Sequence, residues 1–507
     1  MELYSAAFIG FILISVLLHE AVGKRRGDRQ WVIRLAVSVV FYAAVSKWRM
    51  IFLAVSMASV WLGTKMMDRV SGKDFGETVS KSVIKRRKRM IAAVLVTVNI
   101  GILAVTKYLL PVVDHPILLP LGISYYTLMA VSYVIDVYGE KYKAEDNPAK
   151  LALYLVWFPQ MLQGPINRYD NMQHTLFEPH KISADSVKKC VLLFMFGAFK
   201  KYAIANVMIG PVGEIFGGDL GQKPGGFLFI GAVLYALCQY ADFSGGIDMM
   251  MAASVLFGVR MDINFRQPYF ARSIADFWRR WHITLGSFMR DYVFYPFATQ
   301  RHVMKLSKKL GKKFGKHAAR SVIGGMSNVL VFFLVGLWHG PKIHFVLWGL
   351  YNGVIIALSD ALTPAFARMR TLCRINEKGR IWDGFRIIRT FVIICFAGYF
   401  DCIERPADSF IAFKNTLLHF NASLSRLWVI DLFDSKILSE QKVIVFALAV
   451  LLLIIMDVIA EKGKDAAETF LKRPLAVRWI LAYAVIILFL MSFTVVGDRA
   501  GFMYAAF

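Results

Sequence analysis

Residues 321–353, SVIGGMSNVLVFFLVGLWHGPKIHFVLWGLYNG, form two apolar runs separated by Gly340 and Pro341. A helix over 321–339 would be about 28 Å long at ~1.5 Å per residue, which is enough to cross the hydrocarbon core of a bilayer. Glycine and proline end a helix, and basic segments lie before the first run and after the second. The stretch therefore predicts a membrane hairpin with basic, cytoplasmic ends and with His339 at its distant apex.

The rest of the chain has the composition of a membrane protein. Hydrophobic residues make up 57% of its 507 residues, and 40 residues are Phe. Apolar windows of about 17 to 22 residues recur along the chain, and each is long enough for a spanning helix. We predict an all-α polytopic membrane protein with about a dozen transmembrane and re-entrant helices. Because no internal repeat or low-complexity linker occurs, we expect one integral domain over residues 1–507.

A net charge of +25 raises the question of nucleic-acid binding. The basic residues, however, lie in short connections such as KRRGDRQ at 24–30 and KSVIKRRKRM at 81–90. This is the positive-inside pattern, so we expect the lipid bilayer and no nucleic acid as the partner of these charges. The first apolar run, 5–22, has no basic stretch before it and no cleavage site after it, which predicts a retained helix.

Residues 299–320, TQRHVMKLSKKLGKKFGKHAAR, combine many basic residues with no acidic residue. Val303, Leu306, Leu310 and Phe314 recur at helical spacing, which predicts a helix with an apolar stripe under a cationic face. Such a helix can lie in the membrane interface on anionic lipid. It can also attract a phosphate-rich cytosolic donor. The segment does not separate these two interpretations.

Familiar catalytic and metal motifs are missing from the sequence. The five cysteines form neither a CxxC pair nor a metal-ligand spacing, so we expect no metal site. No GxSxG, HExxH, P-loop or Rossmann fingerprint occurs in a supporting context. A serine-triad hydrolase, a zinc protease and an ATP-driven pump therefore lack their usual sequence marks.

Two stretches place polar groups at membrane depth, where such groups tend to be functional. Residues 264–297 are too charged to span a membrane and too aromatic for a solvated loop. Their Trp278, Arg279, Arg280, Trp281 and His282 suit either an aromatic interfacial helix or the wall of a funnel.

The second stretch is the predicted hairpin. As a neutral imidazole, His339 could act as a general base near pH 7. It could equally be a packed histidine bonded to a backbone carbonyl at the break. Asp242, in the glycine-interrupted run QYADFSGGIDMM, is a further polar residue inside an apolar span.

Six stretches together resemble the successive signatures of the membrane-bound O-acyltransferase family, over residues 119–353. They are PLGISYYTLMAVSYVIDVY, WFPQMLQGPINR, FGAFKKYAIAN, YADFSGGIDMM, NFRQPYFARSIADFWRRWHITLGSFMRDYVFYPF and GLWHGPKIHFVLWGLYNG. The likeness is to the bacterial branch that includes alginate O-acetyltransferase and the D-alanyl transfer protein for teichoic acids. The final FMYAAF, 502–507, resembles the aromatic tail of that branch.

The resemblance implies that His339 is the principal catalytic residue and that His282 is the second active-site residue. It also implies a ring of helices around a central tunnel, where a cytoplasmic donor funnel meets an outer acceptor funnel. The sequence departs from the family pattern at Ala241, Gly286, Pro341 and Asn352, and neither histidine is affected. Asn352 stands where many relatives have a histidine.

The resulting hypothesis is acyl transfer in the inner membrane of a bacterial cell. An acyl group, acetyl in the simplest case, would pass from cytosolic acyl-coenzyme A to a hydroxyl of an extracytoplasmic polysaccharide, directly or through a secreted hydrolase-like partner. We expect no tightly bound cofactor. His339 would be the general base, and His282 would bond to the thioester carbonyl or orient the donor.

The expected donor-binding residues follow from the same stretches. They are Trp278, Arg279, Arg280, Trp281, Asp242 and Asn352. Three alternatives remain open: an acyl-enzyme route, a lipid or protein acyltransferase of the same family, and a transporter or flippase for glycan or lipid.

Overall fold

A computed structural model of the chain describes residues 6–71, 80–109, 119–463, 469–470 and 472–496. Within these ranges the chain is predominantly helical, and its one extended pairing is an isolated antiparallel bridge between Phe265 and Trp281. The tail motif FMYAAF lies outside the described residues.

The described α-helices follow one another with short connections. In the first half they are Ala6–Arg26, Gln30–Ser46, Met50–Ser71, Lys81–Ala104, Ile123–Tyr138, Pro148–Val156, Phe158–Leu162, Tyr169–Leu176, Ala184–Phe199, Asn206–Phe216 and Gly225–Leu256. In the second half they are Ile274–Arg280, Ile283–Met289, Tyr295–Ala298, Arg301–His339, Ile343–Ala361, Thr363–Leu372, Arg380–Cys402, Pro406–Leu418, Ala422–Asp434, Glu440–Glu461 and Leu475–Val495. Wider π-helical turns occupy Val105–Leu109, Lys200–Ala205 and Arg290–Phe294.

Among the described residues, 8 helical stretches are long and apolar enough to cross a membrane. They are Ala7–Val70, Lys81–Leu109, Ala184–Phe216, Gly225–Leu256, Arg301–His339, Ile343–Ala361, Glu440–Glu461 and Leu475–Val495. This confirms the prediction of an all-α polytopic membrane protein. The predicted ring and central tunnel stay predictions.

The described residues form two compact units. The first comprises residues 1–194 and 247–263, and the second comprises residues 195–246 and 264–507. In the first unit, buried Arg34 donates from Nη1 to the carbonyl oxygen of Leu176 at 2.7 Å, at the carboxyl end of helix Tyr169–Leu176. The guanidinium thereby satisfies a helix-end carbonyl that would otherwise lack a donor. A single domain over 1–507 stays a prediction.

The predicted hairpin is the longest helical pair of the second unit. Helix Arg301–His339 ends at His339, the chain turns at Gly340, and helix Ile343–Ala361 returns along it. A Cβ atom at Gly349 would overlap the carbonyl oxygen of Phe332, so the two backbones touch with no side chain between them. Glycine allows this close approach, which is typical of helix pairs in membranes.

One feature of the first hairpin helix was not predicted. Gly315 has φ 87° and ψ 164°, which is not a helical conformation. The positive φ favours glycine and divides the helix into the basic segment and the membrane-spanning segment. The basic segment is helical as predicted, with Val303 buried and Leu306 and Phe314 exposed.

The hairpin contact makes a prediction about stability. Gly349→Ala should lower the free energy of unfolding by about 1–3 kcal/mol, because its methyl group collides with rigid backbone of the facing helix. Gly324→Ala is the matched control, since nothing lies within 4 Å of a Cβ atom there. Thermal unfolding of the purified variants in detergent measures both effects. Equal stability of the two variants would contradict the close backbone contact.

Candidate active site

His339 is held at the hairpin apex by aromatic rings. It is the last residue of helix Arg301–His339, and only 4% of its surface is exposed. Its ring lies 5.0 Å from the ring of Trp348, nearly perpendicular to it, and 5.2 Å from the ring of Trp338. The break at Gly340 therefore leaves the imidazole in an apolar environment and not in a solvated turn.

His282 lies between two short helices, Ile274–Arg280 and Ile283–Met289. Its backbone has φ 46° and ψ 53°, a left-handed conformation that residues with a Cβ atom adopt at some energetic cost. The neighbouring bridge holds this turn in place, because Phe265 pairs with Trp281 and the Ile283 N–H donates to the Asn264 carbonyl at 3.0 Å. Strained backbone of this kind is concentrated at functional sites.

The side chain of Asn264 fixes the His282 ring. Its Oδ1 lies 3.1 Å from His282 Nδ1, and it accepts from the N–H and the hydroxyl of Thr284 at 3.0 and 2.9 Å. The ring of Phe243 packs edge-on at 4.9 Å, and Trp338 lies at 6.1 Å. The imidazole is thus held by one polar contact and two aromatic contacts.

Both histidines line one cavity of about 420 Å³. Most of its remaining wall is apolar or aromatic, with Arg279, Arg290 and Asn328 as polar members. The described lining residues are Ala275, Trp278, Arg279, Trp281, His282, Ile283, Leu285, Gly286, Ser287, Met289, Arg290, Phe294, Tyr295, Asn328, Val331, Phe332, Val335, His339, Trp348 and Ile356. A pocket with an apolar wall and a few convergent polar groups is the usual form of a small-molecule site.

The charges of the cavity are divided between its interior and its open side. Burial lowers the pKa of His282 to about 3, so its imidazole is neutral near pH 7. The side chains of Arg279 and Arg290 are 72% and 58% exposed, and both line the cavity. The site therefore combines neutral imidazoles, which can accept protons, with accessible cationic groups that can bind an anion.

Four of the eight residues predicted as site residues line this cavity together with Arg279: Trp278, Trp281, His282 and His339. The Trp278 ring packs 4.9 Å from Phe332 and 5.5 Å from Trp348, so it forms part of the aromatic wall.

The other three predicted residues, Arg280, Asp242 and Asn352, lie outside the cavity lining. Arg280 donates to Glu461 at 2.6 Å and to Asp276 at 3.2 Å. Asp242 is completely buried and pairs with Lys201 of a π-helical turn. Asn352 is buried and donates to the Trp348 carbonyl at 2.9 Å. Their predicted roles in donor binding stay predictions.

Two residues near the site had no predicted role. Asn264 contacts His282 only through the folded bridge, and no sequence spacing indicates that contact. Asn328 lines the cavity from the membrane-spanning helix. A single amide within the apolar run SVIGGMSNVLVFF was the available signal for it.

Comparison with known proteins gives a family match. The sequence profile described as MBOAT, membrane-bound O-acyltransferase family, matches residues 145–400, a range that contains His282 and His339. A probable alginate O-acetylase of Pseudomonas fluorescens is 30% identical over 333 residues, which are 65% of this chain and 60% of that protein.

Two other relatives carry different names. A peptidoglycan O-acetyltransferase of Helicobacter pylori is 29% identical over 280 residues, 49% of each chain. A teichoic acid D-alanyltransferase of Bacillus subtilis is 26% identical over 291 residues, 56% of this chain and 69% of that protein. The chain spans 60% to 64% of the length of the first four alginate relatives.

The adjacent arginines differ in their environment, which allows a paired test. Arg280→Gln should lower the free energy of unfolding by about 1–3 kcal/mol, because it leaves buried carboxylate oxygens of Asp276 and Glu461 without their donor. Arg279→Gln should change stability by less than about 0.5 kcal/mol, since its side chain is 72% exposed. Thermal unfolding in detergent measures both. The reverse order of stability would contradict these contacts.

Proposed function

We propose that this chain, which belongs to the membrane-bound O-acyltransferase family, transfers an acyl group from cytosolic acyl-coenzyme A to a hydroxyl of an extracytoplasmic polysaccharide. Acetyl is the simplest group, and two of the relatives reported above are named for O-acetyl transfer. The observation that carries the proposal is the cavity that brings His282 and His339 together inside the matched region.

His339 acts as the general base in the proposed reaction. The hydroxyl oxygen of the acceptor attacks the thioester carbonyl carbon while His339 takes the hydroxyl proton. The carbon–sulfur bond then breaks, the acceptor keeps the acyl group as an ester, and the proton passes to the departing thiolate. The apolar wall around His339 supports this role, because exclusion of water keeps the imidazole neutral and protects the thioester from hydrolysis.

Arg279 and Arg290 bind the phosphates of the donor in this proposal. Both are exposed and line the cavity that contains the histidines. Guanidinium groups bind phosphate oxygens in pairs of charge-assisted hydrogen bonds. The donor is a substrate and no tightly bound cofactor is required.

The acceptor side of the proposal rests on the relatives. Their names refer to alginate, peptidoglycan and teichoic acid, all of them from bacteria. We therefore place the chain in the inner membrane of a bacterial cell and its acceptor outside it. A secreted hydrolase-like partner that relays the acyl group is part of the proposal. Acyl transfer is preferred to transport of a glycan or lipid, because the chain belongs to a family of acyltransferases.

The central test removes the proposed base. His339→Ala should reduce acyl transfer by roughly 10²- to 10⁴-fold, because the attacking hydroxyl keeps its proton. Purified protein in detergent, supplied with radiolabelled acetyl-coenzyme A and a soluble polysaccharide acceptor, gives the measurement. His302→Ala is the control, since His302 is an exposed histidine of the same helix. Near-normal transfer by His339→Ala would exclude His339 as the base.

A second test addresses the donor. Arg279→Gln should raise the KM for acetyl-coenzyme A by roughly tenfold with little change in kcat, because the lost contact binds ground state and transition state alike. Arg368→Gln is the control, since Arg368 is exposed and lies outside the described cavity lining. An unchanged KM in Arg279→Gln would contradict phosphate binding by this residue.

A further inference from the structure

We infer that Asn264 is a positioning residue that holds His282 in the tautomer with the proton on Nδ1, so that Nε2 presents a lone pair to the substrate. His282 then accepts a hydrogen bond from an N–H or O–H group of the donor or the acceptor. The role in catalysis rests on the proposed acyl transfer, whereas the tautomer is a property of the folded chain alone.

The assignment starts from the Asn264 amide. The backbone N–H of Thr284 lies 3.0 Å from Asn264 Oδ1, and a backbone N–H can only donate. The atom at this position must therefore be the oxygen of the amide and not its nitrogen, which resolves the usual ambiguity of an asparagine side chain. The Thr284 hydroxyl, at 2.9 Å, donates to the same oxygen.

The orientation of Asn264 decides the state of His282. An amide oxygen has no proton to donate, so the contact of 3.1 Å with His282 Nδ1 requires a proton on Nδ1. A neutral imidazole carries one N–H, and Nε2 is then left with its lone pair. His282 Nε2 has no hydrogen-bond partner among the described residues, although the atom is buried in a ring that lines the cavity.

The protonation state of the ring is also constrained. A positive imidazolium would carry a second N–H on Nε2 and would turn the acceptor into a donor. Burial lowers the pKa of His282 to about 3, which keeps the ring neutral at physiological pH. The charged and titratable groups on the neighbouring elements are His339, Arg279 and Arg290 in the cavity wall, and none of them is a carboxylate that would favour the imidazolium.

This tautomer selects between the two roles expected from the sequence. A hydrogen bond to the thioester carbonyl requires an N–H at Nε2, which the neutral ring does not have. The remaining role is to orient a substrate through one of its own hydrogen-bond donors, such as an amide N–H of the donor arm or the hydroxyl of the acceptor. The two histidines thus take separate tasks, with proton removal assigned to His339 and substrate orientation to His282.

The direct test is nitrogen NMR on the full-length protein with ¹⁵N-labelled histidine at pH 7. Protonated and unprotonated ring nitrogens have well-separated shifts, and couplings to the ring protons distinguish Nδ1 from Nε2. The His282 signals are those that disappear in His282→Gln. A protonated Nδ1 with an unprotonated Nε2 supports the inference, and a protonated Nε2 overturns it. This result does not depend on whether the protein transfers acyl groups.

Three variants test the link between Asn264 and the tautomer. Asn264→Ala should shift the His282 signals toward a mixture of both tautomers, and it should lower kcat by at least about tenfold. Asn264→Asp should retain more activity than Asn264→Ala, because a carboxylate also accepts from Nδ1–H. Thr284→Val is the matched control, since it removes the hydroxyl contact to Asn264 while the pairing with His282 stays intact.

The two proposals can fail separately. Activity of Asn264→Ala equal to that of Thr284→Val, with unchanged His282 signals, would overturn the positioning role. Absence of acyl transfer by the unaltered protein would overturn the proposed function, and the NMR spectrum would still decide the tautomer. If Asn264→Ala does not fold, the spectrum of the unaltered protein and the activity of Asn264→Asp remain decisive.

Discussion

The contact between the two backbones of the 321–353 hairpin is the constraint on which the site depends. Helices Arg301–His339 and Ile343–Ala361 approach so closely that positions such as Gly349 have no room for a side chain. This approach fixes where His339 ends its helix and how the Trp348 ring meets it. Because interhelical packing is the main force that joins helices in a membrane, a catalytic group at the apex inherits the rigidity of the packing below it.

The sequence predicts this part of the molecule well, for local reasons. Length and hydrophobicity define the two helices, and the neighbouring Gly340 and Pro341 mark the turn between them. The membrane class follows from the same simple quantities summed over the chain. The meeting of His282 with His339 is different, because composition and periodicity do not bring two distant segments together. That part of the prediction came from the resemblance to a family.

The residues that sequence analysis placed differently from the structure share one physical property: their environment is set by distant partners. Arg279 and Arg280 are adjacent and chemically identical, yet only Arg280 meets Glu461, from a helix far along the chain. Asp242 meets Lys201 across a π-helical turn. Asn264 reaches His282 through a bridge of two short extended segments. A pattern read along one segment contains no information about such pairings.

The left-handed backbone at His282 also restricts what the chain can become. Only a few residue types tolerate φ 46° readily, chiefly glycine, asparagine, aspartate and histidine. The fold thus limits the set of side chains at position 282 before any chemical requirement applies. Two of them, histidine and asparagine, are neutral near pH 7 and able to accept hydrogen bonds. Drift at this position would therefore tend to exchange one acceptor for another, and the geometry of the turn makes the function more tolerant of mutation than the chemistry alone would allow.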